Sequence, residues 1–349
     1  MSISFAKMEE LLANSPLELV GFTKIQPEKT YSKFKSWLDL SMNAEMHYLE
    51  NYQNCRENPE ELFLPAKTAV VLGFNYYMGD KVRGEKASLI AQYARMRDYH
   101  RWMRKEATRL ADCLHEQKSD YRVVCDTAPL LERAMAQNTG GGMVGKNTMF
   151  IIPGRGSFFL LVEILSVLEV EPGSAALPVQ TTSSKSDCGT CKRCLTHCPT
   201  GAIDEPYRVD ARKCISYWTI EHRGEIPLEF WPHLKEHVFG CDICQLVCPF
   251  NRGLEAQVGQ ELVRLPRHID REKIALMTEA EYIEMFGGTP LTRAKRGGLM
   301  RNALISIYVA GSPRLSVVMK NLMARHDLPS VVVKTLDAIR TDPLALFSA

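Results

Sequence analysis

The chain has 349 residues, 45% hydrophobic and 24% charged, which is ordinary globular usage and allows two or three domains. A formal net charge of +2 points to no partner by itself, and the length excludes the small secreted, disulfide-stapled class. The opening MSISFAKMEELL has no basic stretch, apolar core or cleavage site, and no apolar run approaches the roughly 18 residues of a spanning helix. The expectation is a cytoplasmic protein with no membrane contact.

Residues 1–180 alternate strand-like and helix-like stretches, which argues for an α/β or α+β domain. The stretch 68–77, TAVVLGFNYY, is rich in β-branched and aromatic residues and reads as a buried strand. Residues 87–117 contain no Pro or Gly and read as one or two helices. Short strands are expected at 122–125 and within 158–170. Residues 172–187 are polar and rich in small residues, and read as a linker. After residue 251 the chain becomes helical. Apolar positions three and four apart in 299–309 and 315–323, separated by Gly311-Ser312-Pro313, read as one hairpin of the HEAT kind. The expected division is 1–180, 181–260 and 261–349.

Eight of the eleven cysteines lie between residues 188 and 248. Cys188, Cys191, Cys194 and Cys198, followed by Pro199, read C-x2-C-x2-C-x3-C-P. Cys241, Cys244 and Cys248 precede Pro249, and Cys214 stands 27 residues upstream of Cys241. In the two-cluster ferredoxin pattern the fourth cysteine of each run crosses to the other cluster. This assigns Cys188, Cys191, Cys194 and Cys248 to one [4Fe–4S] cluster, and Cys198, Cys214, Cys241 and Cys244 to the second. Zinc would want ligands in pairs and has no use for a trailing C-P. Cys55, Cys113 and Cys125 read as ordinary half-buried thiols.

Charge is distributed unevenly. Residues 291–326 hold seven Lys or Arg, among them Arg293, Lys295, Arg296 and Arg301, and no Asp or Glu. Residues 95–109 hold six against Asp98 and Glu106. Each stretch reads as a solvated helix face or as a footprint for a polyanion.

One-electron clusters on a larger body imply a substrate or second redox cofactor in the N-terminal domain. The stretch 125–147, CDTAPLLERAMAQNTGGGMVGKN, is its most informative part. Asp126 sits between a strand and a helix, as a helix cap or as a proton donor at a pocket mouth. Of Glu132 and Arg133 on the next helix, one is expected to point inward. Gly140 to Gly142 with Gly145-Lys146-Asn147 fails the Walker A pattern, because Asn147 follows the Lys. The glycines are expected to let backbone approach a cofactor. Asp98-Tyr99-His100 begins a D-x-H-x-x-G cobalamin-ligand pattern, but Met103 replaces its Gly. Any cobalamin bound here would lack that His ligand.

The segments RMRDYHRWMRK, CDTAPLLERA, GKNTMFI, CGTCKRCLTHCPTGAI, KCISYWTIEHRGEIP and FGCDICQLVCPFNRG together resemble the epoxyqueuosine reductases. The resemblance runs from about residue 57 to 303 and is most specific around Cys214. It implies reduction of epoxyqueuosine to queuosine at the wobble position of tRNAs with GUN anticodons. It also implies a nitroreductase-like domain binding base-off cobalamin, a ferredoxin-like domain and a helical, tRNA-contacting C-terminal segment. On this resemblance Asp126 matches the acidic residue beside the cobalt, and Arg133, Tyr99, His100, Lys146 and Asn147 match cofactor-pocket positions. One departure is Met143, which stands where the family carries Trp in its glycine loop. Arg293, Lys295, Arg296 and Arg301 are expected to bind tRNA. The expected protein is a monomer served by an unidentified low-potential electron donor. The competing reading is a reductive dehalogenase-like enzyme acting on a small molecule.

Overall fold

The computed structural model describes residues 2–79, 90–172, 187–235, 237–259, 262–266 and 269–341. Four strands form the main sheet: β1 Glu18–Lys24, β2 Thr68–Asn75, β3 Tyr121–Val124 and β4 Phe159–Ser166, in the order β1-β2-β4-β3. Every neighbouring pair is antiparallel. The domain is therefore of the α+β kind, within the expected class; β2, β3 and β4 overlap the stretches read from sequence, whereas β1 was not read there. All of β2 is buried, as its continuous apolar run requires.

Each face of the sheet is covered. On one side lies α1, Tyr99–Leu114, whose N-terminus is capped by Asp98. It buries Tyr99, Met103, Ala107, Leu110 and Ala111, a stripe at helical spacing. On the other lies α2, Glu132–Asn138, packed over Val20, Val71, Leu161 and Leu165. The long helical reading at 87–117 thus shortens to α1 preceded by a single turn at Gln92–Arg95.

The cysteine segment carries two one-turn helices, α3 Arg193–Thr196 and α4 Ile243–Leu246, which pack together. The C-terminal region is helical as expected: α5 Arg271–Leu276, α6 Lys295–Val309, α7 Leu315–Met323 and α8 Ser330–Thr341. From Gly298 to Tyr308 every residue of α6 is buried, with α5 and α8 against it. One apolar cluster joins these helices to Ile215, Trp218, Trp231 and Phe239. Packing therefore does not separate the C-terminal helices from the cysteine segment at residue 260. Most of the linker read at 172–187 lies outside the described residues. No helix among them is long and apolar enough to cross a membrane.

Candidate functional site

Two regions carry the chemistry, and a short strap joins them. Cys188, Cys191, Cys194 and Cys248 line one cavity of about 290 Å³, shared with Lys146, Asn147, Arg193 and Phe250. These are the four cysteines grouped by spacing. The second group is also assembled. Cys214 feels the charge of Cys198, Cys241 that of Cys214 and Cys198, and Cys244 that of Cys241 and Cys214. Cys244 also feels Cys194, so the two groups are neighbours. Burial pushes the Cys241, Cys244 and Cys214 thiols up, so their deprotonation depends on a bound cation. No three His, Cys, Asp or Glu among the described residues converge on a single-ion site.

The segment after Cys214 is a π-helical turn, Tyr217–Glu221, a rare geometry concentrated at functional sites. It is held from α6. Arg301 donates to the carbonyls of Trp218, His222 and Gly224, and Asn302 donates to those of Thr219 and Val238. Thr219 in turn accepts from Gly240 N at 2.9 Å, one residue before Cys241. Arg301 is 1% exposed. It is therefore corrected from a tRNA contact to a buried clamp on the Cys214 and Cys241 segments.

The other predicted basic residues divide. Arg296 is mostly buried and bound to Glu279 and Asp327. Arg293 makes a two-pronged ion pair with Glu221 and lies over the Tyr48 ring. Lys295 is exposed. In the second basic stretch Arg97, Arg101, Arg104 and Lys105 are exposed, on and just before the helix that carries Tyr99 and His100.

Asp126 follows the end of β3 with φ +55, a left-handed conformation in which a non-glycine residue is uncommon. Its carboxylate accepts from Tyr99 Oη at 2.7 Å and pairs with His100 Nε2 at 2.8 Å. His100 Nδ1 meets Asp98 at 2.7 Å. Both ring nitrogens are thus engaged, and no histidine nitrogen of this motif is left for a metal. Hydrogen bonds to Asp126 and then Asp98 raise the His100 pKa to about 9. Desolvation raises that of Asp126. However, hydrogen bonds from His100 and Tyr99 outweigh it, and the net shift is downward. At neutral pH the proton resides on His100 and Asp126 is a carboxylate.

Glu132 is the residue of α2 that turns inward, accepting from Asp126 N, whereas Arg133 is exposed and donates to Thr148 O at 2.5 Å. Lys146 and Asn147, expected at a cofactor pocket, are engaged elsewhere. Lys146 donates to the carbonyls of Gly189 and Cys191, and Asn147 to that of Cys244. They strap the cluster loops onto the α+β domain. The glycines here serve packing as well: a Cβ on Gly141 would meet Val20 O at 1.9 Å.

Sequence reasoning missed Tyr48 and Glu163. Tyr48 feels both Glu221 and Asp126, but it lies in a short turn with no motif. Glu163 is fully buried in β4, and a single carboxylate in an apolar run was the signal available.

Comparison with known proteins agrees with this architecture. A model described as "4Fe-4S double cluster binding domain" matches residues 187–251, and one described as "Epoxyqueuosine reductase QueG, DUF1730" matches 56–127. An epoxyqueuosine reductase from Pseudomonas aeruginosa is 34% identical over 326 residues, 90% of this chain and 87% of that protein. One from Cyclobacterium marinum is 38% identical over 280 residues, 79% of this chain and 87% of the relative. A crystal structure of epoxyqueuosine reductase with a tRNA-Tyr epoxyqueuosine-modified tRNA stem loop aligns with TM-score 0.80 at 26% identity, covering 95% and 88% of the two chains. The chain belongs to the epoxyqueuosine reductase family.

Proposed function

We propose that this chain reduces epoxyqueuosine to queuosine in tRNA, using two [4Fe–4S] clusters and a cobalamin held near Asp126. The observation that carries the reading is the strap of residues 146–148, which ties both cysteine groups to the segment bearing Arg133 and Asp126. The fit to cobalamin rests on His100. With both ring nitrogens engaged, His100 would border a bound corrin as a polar contact and not as a metal ligand. Tyr99, His100 and Arg133 are its candidate contacts.

When bound, the corrin supplies a low-potential cobalt centre that delivers two electrons to the epoxide. Removing the epoxide oxygen consumes two electrons and two protons and releases water. Cleavage of the C–O bond leaves an alkoxide, which needs a proton donor within hydrogen-bond reach. Asp126, a carboxylate at rest, takes a proton from the His100 imidazolium 2.8 Å away and passes it to the alkoxide, with Tyr99 fixing the carboxylate on its other side. Exposed Arg97, Arg101 and Arg104, with Arg293 and Lys295, contact phosphates of the anticodon stem, while the modified base turns out of the stack. Residues 1–180, 181–260 and 261–349 divide these roles among corrin and substrate, clusters, and a HEAT-like tRNA-contacting segment. The protein works in the cytoplasm as a monomer, with GUN-anticodon tRNAs as substrates.

The test is anaerobic reconstitution with iron, sulfide and cobalamin, followed by a reductive assay on an epoxyqueuosine-containing tRNA stem loop. Corrinoid absorbance retained through gel filtration and conversion to queuosine are expected. Conversion without cobalamin would overturn the cofactor assignment. Inertness of the loaded protein on this tRNA would overturn the substrate.

A further inference from the structure

Behind Asp126 lies a second pair of acids that the reaction as described does not use. Glu163 occupies the middle of β4, directly opposite Val124 of β3, two residues before Asp126. It is 0% exposed. Neither of its carboxyl oxygens has a hydrogen-bond donor among the described residues. The helix α2 packs against β4 and brings the Glu132 carboxyl beside that of Glu163. Glu132 also accepts from the backbone N–H of Asp126.

Two ionised carboxylates in this position would repel each other without water to screen them. One proton between them turns the same contact into a charge-assisted O–H···O bond and gives one buried oxygen of Glu163 a partner. Burial raises both groups, with the Asp126 charge adding to it at Glu132 and the Glu132 charge at Glu163, in the direction that retains a proton. The surroundings are mixed. Asp126, Cys125 and Arg133 face the pair from the strand end and α2, and His100 from α1.

We infer that Glu163 and Glu132 share one proton and act together as a positioning device, gripping the Asp126 backbone so that its carboxylate stays against His100 and Tyr99. The left-handed backbone of Asp126 is sterically disfavoured, and the Glu132 bond is what offsets that cost. Losing the shared proton would set two carboxylates against each other and release the grip. This inference rests on Asp126 acting at the reacting site.

The test uses the cluster-loaded full chain. In infrared difference spectra of wild type against Glu163→Gln, a protonated-carboxyl band is expected at neutral pH in wild type and lost in the variant. Because Gln donates a hydrogen bond without a titrating proton, Glu163→Gln should hold kcat within about threefold at neutral pH. Its alkaline decline should move upward to the one set by His100 alone. Glu132→Ala should lower kcat at least about tenfold with KM for tRNA unchanged. Identical infrared spectra for wild type and Glu163→Gln would overturn the shared proton, whatever the activity. Unchanged kcat in Glu132→Ala with clusters intact would overturn the positioning role. The infrared result stands apart from the substrate assignment, so failure of one is distinguishable from failure of the other.

Discussion

The cysteine region and the Asp126 region hold their polar groups by opposite means. Around the cysteines, the stabilising bonds run from distant side chains to main-chain carbonyls: Lys146 to Cys191, Asn147 to Cys244, Arg301 to Trp218. The thiols themselves are pushed up by burial. Around Asp126 the ionisable side chains satisfy one another, with Asp98, His100, Asp126 and Tyr99 in one hydrogen-bonded chain. The first region depends on iron for its charge balance, whereas the second is balanced by protein alone. Metal loss should therefore damage the former and spare the latter.

The largest expected effect breaks that comparison at the metal. Cys214→Ala and Cys248→Ala should each remove one of two clusters, lowering iron from about eight to about four per chain. Electron paramagnetic resonance of the reduced protein should show a different surviving cluster in each, and tRNA reduction should be lost in both. Loss of the same cluster in the two variants would refute the crossed ligand sets. Next in size is Arg301→Ala, which strips the buried carbonyls around the Cys214 segment of their donor. It should cost about 2–4 kcal/mol, read as a lower denaturation midpoint, with tRNA affinity of the folded protein unchanged.

Those two predictions mark where sequence suffices and where it does not. Ligand spacing is a local property, so the grouping of Cys248 with Cys188 could be read from the chain alone. The sheet strands 68–75 and 159–166 were legible for a similar reason, since both are continuous apolar runs. Arg301 was misassigned because a run of basic residues says nothing of which face is buried. α6 is buried almost all round, and Arg301 lies in the core with the rest. Glu163 and Tyr48 were invisible for a related reason: their significance depends on residues brought near only by the sheet and the turn at His47–Leu49.

Smaller effects sharpen the Asp126 side. The His100 pKa is raised from its usual 6.5 to about 9. Its stabilisation is therefore complete below about pH 6.5 and is lost as pH rises through about 9. A denaturation series over that window should show falling stability, and Asp126→Asn should flatten the fall. The smallest expected change is from Lys295→Ala, which should reduce the salt slope of tRNA binding by about one unit if Lys295 meets one phosphate. An unchanged slope would remove it from the interface.

The central claim is that the proton resides on His100 and Asp126 is its carboxylate partner. Histidine NMR on cluster-loaded, oxidised protein measures this directly. The account predicts a His100 pKa near 9 in wild type and a fall of more than about one unit in Asp126→Asn. A His100 resonance that titrates at the ordinary value in wild type, unmoved by Asp126→Asn, would contradict it.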